Sequence, residues 1–115
     1  MKRVCFVGDR PSRLNYSEDL PFFGTPSYRV LLGWCSKLGL EDWTLFNSHT
    51  QKEIDMVRSF AKRGTVIALG NTASNVLAKE GIEHLKLPHP SPRNRMLNDK
   101  NRLTEILRDC KMKLE

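Results

Sequence analysis

Four short apolar runs, each followed by a stretch whose apolar residues return at helical spacing, succeed one another along this chain, and that alternation narrows the possible folds more than any other feature. Val4 to Val7 is a continuous apolar run stopped by Gly8, as suits a strand covered on both faces. From Pro26 the positions Tyr28, Val30, Leu31, Leu32, Trp34, Cys35 and Leu38 follow a helical period, with proline near the start and Gly39 past the end. Trp43 to Phe46 predicts a second strand, ending at Asn47-Ser48-His49-Thr50. A helix from about Gln51 to Lys62 carries Ile54, Val57, Phe60 and Ala61 on one face and takes Gly64 as its stop. Thr65 to Gly70 predicts a third strand, after which Asn71 or Thr72 caps a helix bearing Ala73, Val76, Leu77 and Ala78 and ending at Gly81. His84 to Leu87 is a short fourth strand, and Asn98 or Asp99 opens a last helix with Leu103, Ile106, Leu107 and Cys110 inward.

Strand and helix in strict alternation argue for a parallel sheet of four strands flanked by helices, an α/β fold that binds ligands beyond the carboxyl ends of its strands. The 115 residues fit a single domain, 1–115. The loop from Asp9 to Thr25 is long for so small a domain, and such loops are often functional. Basic residues outnumber acidic ones 19 to 13, for a formal charge of +6, and are spread along the chain instead of gathered in a tail, which favours an anionic partner, most often nucleic acid. Cys5, Cys35 and Cys110 are odd in number and widely spaced, so a disulfide framework or zinc site is not expected and reduced thiols in an intracellular, cytoplasmic setting are. No apolar run approaches the roughly 18 residues of a membrane span, and the run after Met1-Lys2-Arg3 is too short for a signal peptide.

The predicted strand ends collect polar residues on one edge of the sheet. Asp9, in Gly8-Asp9-Arg10-Pro11-Ser12, is placed to orient a water as general base while Arg10 holds it ionised; Gly-Asp-x-Pro is also ordinary turn chemistry. Asn47 offers an amide that both donates and accepts, able to read a pyrimidine edge, or else to cap the next helix. Phe22 and Phe23 lie side by side in Pro21-Phe22-Phe23-Gly24, so one is available to stack on a planar ring while the other plugs the core. His89 sits among the three prolines and two arginines of Pro88-His89-Pro90-Ser91-Pro92-Arg93-Asn94-Arg95, a stiff loop that holds an imidazole in place while arginines reach for phosphates. His49 and His84 are expected to be structural. Gly70-Asn71-Thr72 has a single glycine and is taken as packing and capping, not as a dinucleotide fingerprint.

In their order and spacing across roughly residues 4 to 95, Gly8-Asp9-Arg10-Pro11-Ser12, Pro21-Phe22-Phe23-Gly24, Asn47, Val66-Ile67-Ala68-Leu69-Gly70-Asn71-Thr72-Ala73 and His89-Pro90-Ser91-Pro92-Arg93 resemble the uracil-DNA glycosylase superfamily, most closely its bacterial and archaeal iron–sulfur branch. The resemblance implies a three-layer α/β/α sandwich around a four-stranded parallel sheet, acting as a monomer on uracil-containing or modified DNA, single- or double-stranded. It places Phe22 on the face of a flipped base, Asn47 on its edge with Gly8 and Arg10 beside it, His89 on the pyrimidine carbonyl and Asp9 on the attacking water. Pro90, Ser91 and Pro92 press on the DNA backbone, and Arg93 and Arg95 hold flanking phosphates. Two departures stand out. The cysteines do not supply four iron–sulfur ligands, so no cofactor is expected, and Asp9 replaces the longer or amide side chains of related enzymes, with Arg10 beside it lacking a counterpart. The second departure keeps open a binding module on the same fold, one that recognises a base, nucleotide or modified DNA without cleavage.

Overall fold

The computed structural model describes residues 3–8, 26–48, 50–90 and 99–114. In chain order these form β1 (Val4–Gly8), α1 (Pro26–Leu38), β2 (Trp43–Asn47), α2 (Gln51–Ala61), β3 (Thr65–Leu69), α3 (Asn71–Lys79), β4 (Leu85–Leu87) and α4 (Lys100–Leu114). The strands make one parallel sheet in the order β2-β1-β3-β4, so the alternation in the sequence is realised as a doubly wound sheet. Its two faces bury different sets of residues. Val4, Phe6, Leu45, Ile67, Leu69 and Leu87 pack with α1 and α4, whereas Cys5, Val7, Val66 and Ala68 pack with α2 and α3, the period of two expected of strands covered on both sides. Helices on both faces complete the α/β/α sandwich.

The helix ends follow from particular residues. Gly39 and Gly81 take φ of +70°, and in each case the glycine and the residue after it return their N–H groups to the last turn: Gly39 to Ser36 and Leu40 to Cys35, Gly81 to Ala78 and Ile82 to Leu77. Asp99 starts α4 by accepting the Arg102 N–H at 3.1 Å. Gly64 does not end α2 by a left-handed turn. A Cβ there would lie 2.6 Å from the Phe60 ring and 2.7 Å from the Arg3 carbonyl oxygen, so glycine is required by the close approach that lets Thr65 donate to Arg3 and start β3 beside β1. Neither Asn71 nor Thr72 caps α3. Gly70 leaves the strand at φ +92° and occupies the cap position with no side-chain bond. Ala61 and Ala78 are exposed beside the apolar stripes of their helices, and Leu32 is exposed on α1, since each lies one position off the line that faces the sheet.

The three thiols are all buried, Cys5 in the α2/α3 layer and Cys35 and Cys110 in the α1/α4 layer. Burial disfavours the thiolate and pushes Cys5 and Cys35 up to about 12 and Cys110 to about 11. An unfolded thiol titrates near 9.0, so the native state holds these protons longer. The stability they contribute is complete below that pH and is lost as pH rises from there toward the native values, at about 1.4 kcal/mol per thiol per pH unit. Urea melts at about pH 8 and about pH 10 should therefore show a loss that a Cys5→Ala, Cys35→Ala, Cys110→Ala variant largely lacks. An equal alkaline loss in both proteins would count against it.

Candidate functional site

Strand order reverses between β1 and β3, because the chain leaves β1 for α1 on one face and leaves β3 for α3 on the other. In open α/β sheets that switch point, at the carboxyl ends of the strands, is where ligands bind. Here the edge is made by Gly8, Asn47, Gly70 and the segment after Leu87. Gly8 and Asn47 are register partners, and the Ser48 N–H donates to the Gly8 carbonyl at 2.8 Å. On the other side, the Gly70 N–H donates to the Leu87 carbonyl at 2.9 Å. Both bonds carry the parallel ladder just past the strands and fix the edge from which the site loops spring.

Asn47 is the unusual residue of this edge. Trp43 and Leu45 point to the α1/α4 layer, and the period of two sends Asn47 to the same side. Its side chain is 0% exposed, yet among the described residues neither Oδ1 nor Nδ2 has a hydrogen-bond partner, and the adjacent buried Ser48 Oγ also lacks one there. An unpaired buried amide costs roughly 1–3 kcal/mol per polar group and persists where a ligand completes it. Asn47 does not cap α2: Thr50 does, accepting the Glu53 N–H at 3.4 Å.

His89 comes two residues after β4, half-buried, beside Gly70. A cavity of about 370 Å³ opens here, with Gly70, Asn71, Pro88 and His89 on the strand-end side and Ile106 of α4 opposite, within the size range of small-ligand sites. Asn47 is not among the residues lining it. With β2 and β4 separated by three strand spacings of about 4.8 Å, roughly 14 Å in all, Asn47 and His89 stand on opposite sides of the β1 and β3 ends. Gly70 sets the placement of His89: a Cβ at residue 70 would lie 3.2 Å from His89 Cβ, at a φ that side chains avoid. Gly70→Ala should cost about 1–3 kcal/mol in a denaturant melt and reduce any activity that depends on His89; unchanged stability and function together would remove this role.

Asp9, Arg10, Phe22, Ser91, Pro92, Arg93 and Arg95 lie outside the described residues, as does His49. Pro90, the last described residue before Ser91, is buried. His84 is structural as expected. Its Nδ1 donates to the Ile82 carbonyl at 2.8 Å, so Nε2 is the acceptor for the Ser74 hydroxyl at 2.8 Å, and the ring ties β4 to α3. His84 also lines a larger cavity, about 740 Å³, at the amino end of the strands. That end is away from the switch point, so volume does not locate the site. The cysteines do not fit an iron–sulfur cluster: there are three, all buried and held as thiols, and the sheet separates Cys5 from the other two.

The fold is a doubly wound α/β sandwich whose strand order reverses between β1 and β3, the place where sheets of this class bind ligands. The family model described as the uracil DNA glycosylase superfamily matches residues 1–111. The chain belongs to that superfamily, whose members at the family level are glycosylase-type hydrolases acting on DNA. No curated protein and no solved structure matches it significantly. Among the described residues, no helix is long and apolar enough to cross a membrane.

Proposed function

We propose that this protein recognises a flipped uracil or related modified pyrimidine in DNA and hydrolyses its N-glycosidic bond. The observation that carries the reading is Asn47, a fully buried amide whose two polar atoms find no partner among the described residues, at the carboxyl edge of a glycosylase-superfamily sheet. Uracil presents a carbonyl acceptor beside an N–H donor, the complement of an amide's donor and acceptor. Phe22 stacks on the base, with Gly8 and Arg10 beside it, and flipping adds a few kcal/mol of unstacking cost that favours mispaired or single-stranded sites.

Water adds its oxygen to the sugar carbon as the bond to the base breaks and the electron pair leaves with the base. Asp9 orients that water and takes its proton, which ends on the departing base. His89 donates to the pyrimidine carbonyl, where negative charge develops. Ser91, Pro92, Arg93 and Arg95 grip the backbone, and the formal charge of +6 draws the chain to it. The single domain works as a monomer, inside the cell and without a cofactor.

The test is incubation of the purified protein with uracil-containing single and double strands, followed by alkaline scission. Strand breaks at uracil are expected. Selective binding with no abasic sites at stoichiometric protein would replace the enzyme by a base-recognising module, and the absence of both would overturn the reading.

A further inference from the structure

We propose that Glu53 is the positioning residue for Asn47, holding the strand end so that the buried amide meets the base at a fixed angle; this rests on the base-reading role of Asn47 given above. Among the described residues β2 is an edge strand. Because the Ser48 N–H points inward to the Gly8 carbonyl, the Asn47 N–H points outward, where no strand follows. Glu53 reaches back from the first turn of α2 and accepts that N–H on Oε1 at 3.3 Å. Its Oε2 accepts the Thr50 hydroxyl at 3.4 Å, while Thr50 Oγ1 accepts the Glu53 N–H at 3.4 Å.

Thr50-Gln51-Lys52-Glu53 thus has the form of a capping box, in which the glutamate ordinarily returns to the N–H of the cap residue. Here its carboxylate passes over that group and bonds Asn47, three residues before the cap. The departure converts a helix start into a clamp on the ligand edge. The end of β2 is then held from both sides, by Gly8 and by Glu53, while the amide of Asn47 is left unpaired. A reader whose main chain is fixed by two bonds keeps its donor and acceptor aligned without spending them on the protein.

The experiment compares affinity for uracil- and thymine-containing oligonucleotides, together with kcat and KM for excision, in Glu53→Ala, Glu53→Gln, Thr50→Ala, Asn47→Ala and the Asn47→Ala, Glu53→Ala pair. Glu53→Ala should lower the uracil preference by about tenfold to 10²-fold. Glu53→Gln keeps the oxygen that faces Asn47 and should restore most of it. Thr50→Ala loses the cap bond and the hydroxyl's bond to Glu53 Oε2 but leaves Oε1 to hold the Asn47 N–H, so its preference should stay well above that of Glu53→Ala. On the Asn47→Ala background, Glu53→Ala should have no further effect on preference. Hydrogen exchange at the Asn47 N–H supplies a measurement that needs no DNA: protection should be lost in Glu53→Ala and kept in Thr50→Ala.

Full preference in Glu53→Ala, equal loss in Thr50→Ala, or additive loss in the pair would overturn the clamp and leave the base-reading role of Asn47 intact. A wild-type chain with no uracil preference would instead overturn that role and the clamp with it.

Discussion

His89→Ala should lower turnover on uracil-containing DNA by about 10²–10³-fold and leave affinity for the same DNA almost unchanged. The asymmetry follows from where the charge is. On the proposed function, the pyrimidine carbonyl of the bound substrate is neutral and its hydrogen bond to His89 replaces one made to water. As the bond to the sugar breaks, the base takes the electron pair and the carbonyl becomes a far stronger acceptor, so the bond to His89 strengthens only then. Gly70 lies close against His89 and is itself fixed by its ladder bond to Leu87, a placement that on this reading spares the imidazole reorganisation. Single-turnover kinetics beside equilibrium binding separate the two quantities. Equal losses in rate and affinity would mean that His89 holds the substrate and does not stabilise the departing base.

The layout of the fold is legible in the sequence because its signals are redundant. A buried parallel strand needs an unbroken apolar run, and Val4 to Val7 and Val66 to Leu69 are such runs. Gly39 and Gly81 mark helix ends because the closing turn needs a left-handed residue. Where one glycine serves two geometries, the signal fails. Gly64 reads as a stop, yet its reason is the Arg3 carbonyl, a contact between residues 61 positions apart that no local pattern encodes. Gly70 reads as the end of a strand and is the cap of α3, displacing Asn71 and Thr72 from that place.

The site divides in the same way. Asn47 and His89 are visible as polar residues at strand ends. The unpaired state of Asn47 is not, because whether an amide finds a partner depends on side chains brought near by folding. Glu53 had a signal, Thr50 three residues before it, but that signal announces a helix start and says nothing of Asn47. The buried state of Pro90 is likewise a matter of tertiary packing, and a proline-rich basic loop alone gives no indication which ring faces inward.

The substitution that most sharply separates fold from function is Asn47→Leu. Leucine has asparagine's branching and number of heavy atoms and carries no polar atoms. In the free protein it replaces two buried groups that have no partner among the described residues with methyls, and the Glu53 bond to the main chain at residue 47 is untouched. Stability should therefore rise, by on the order of 1–3 kcal/mol. Base discrimination should move the other way. Two hydrogen bonds to the pyrimidine edge are lost, and at about 1.4 kcal/mol each that is roughly a 10²-fold fall in preference for uracil. Opposite signs are the mark of a residue kept for its ligand at the expense of the fold. A residue kept for packing would lose stability and selectivity together, and one with a hidden partner in the protein would lose stability with selectivity unmoved. Denaturant melts on the variant, read beside its relative affinity for uracil and thymine oligonucleotides, distinguish the three cases.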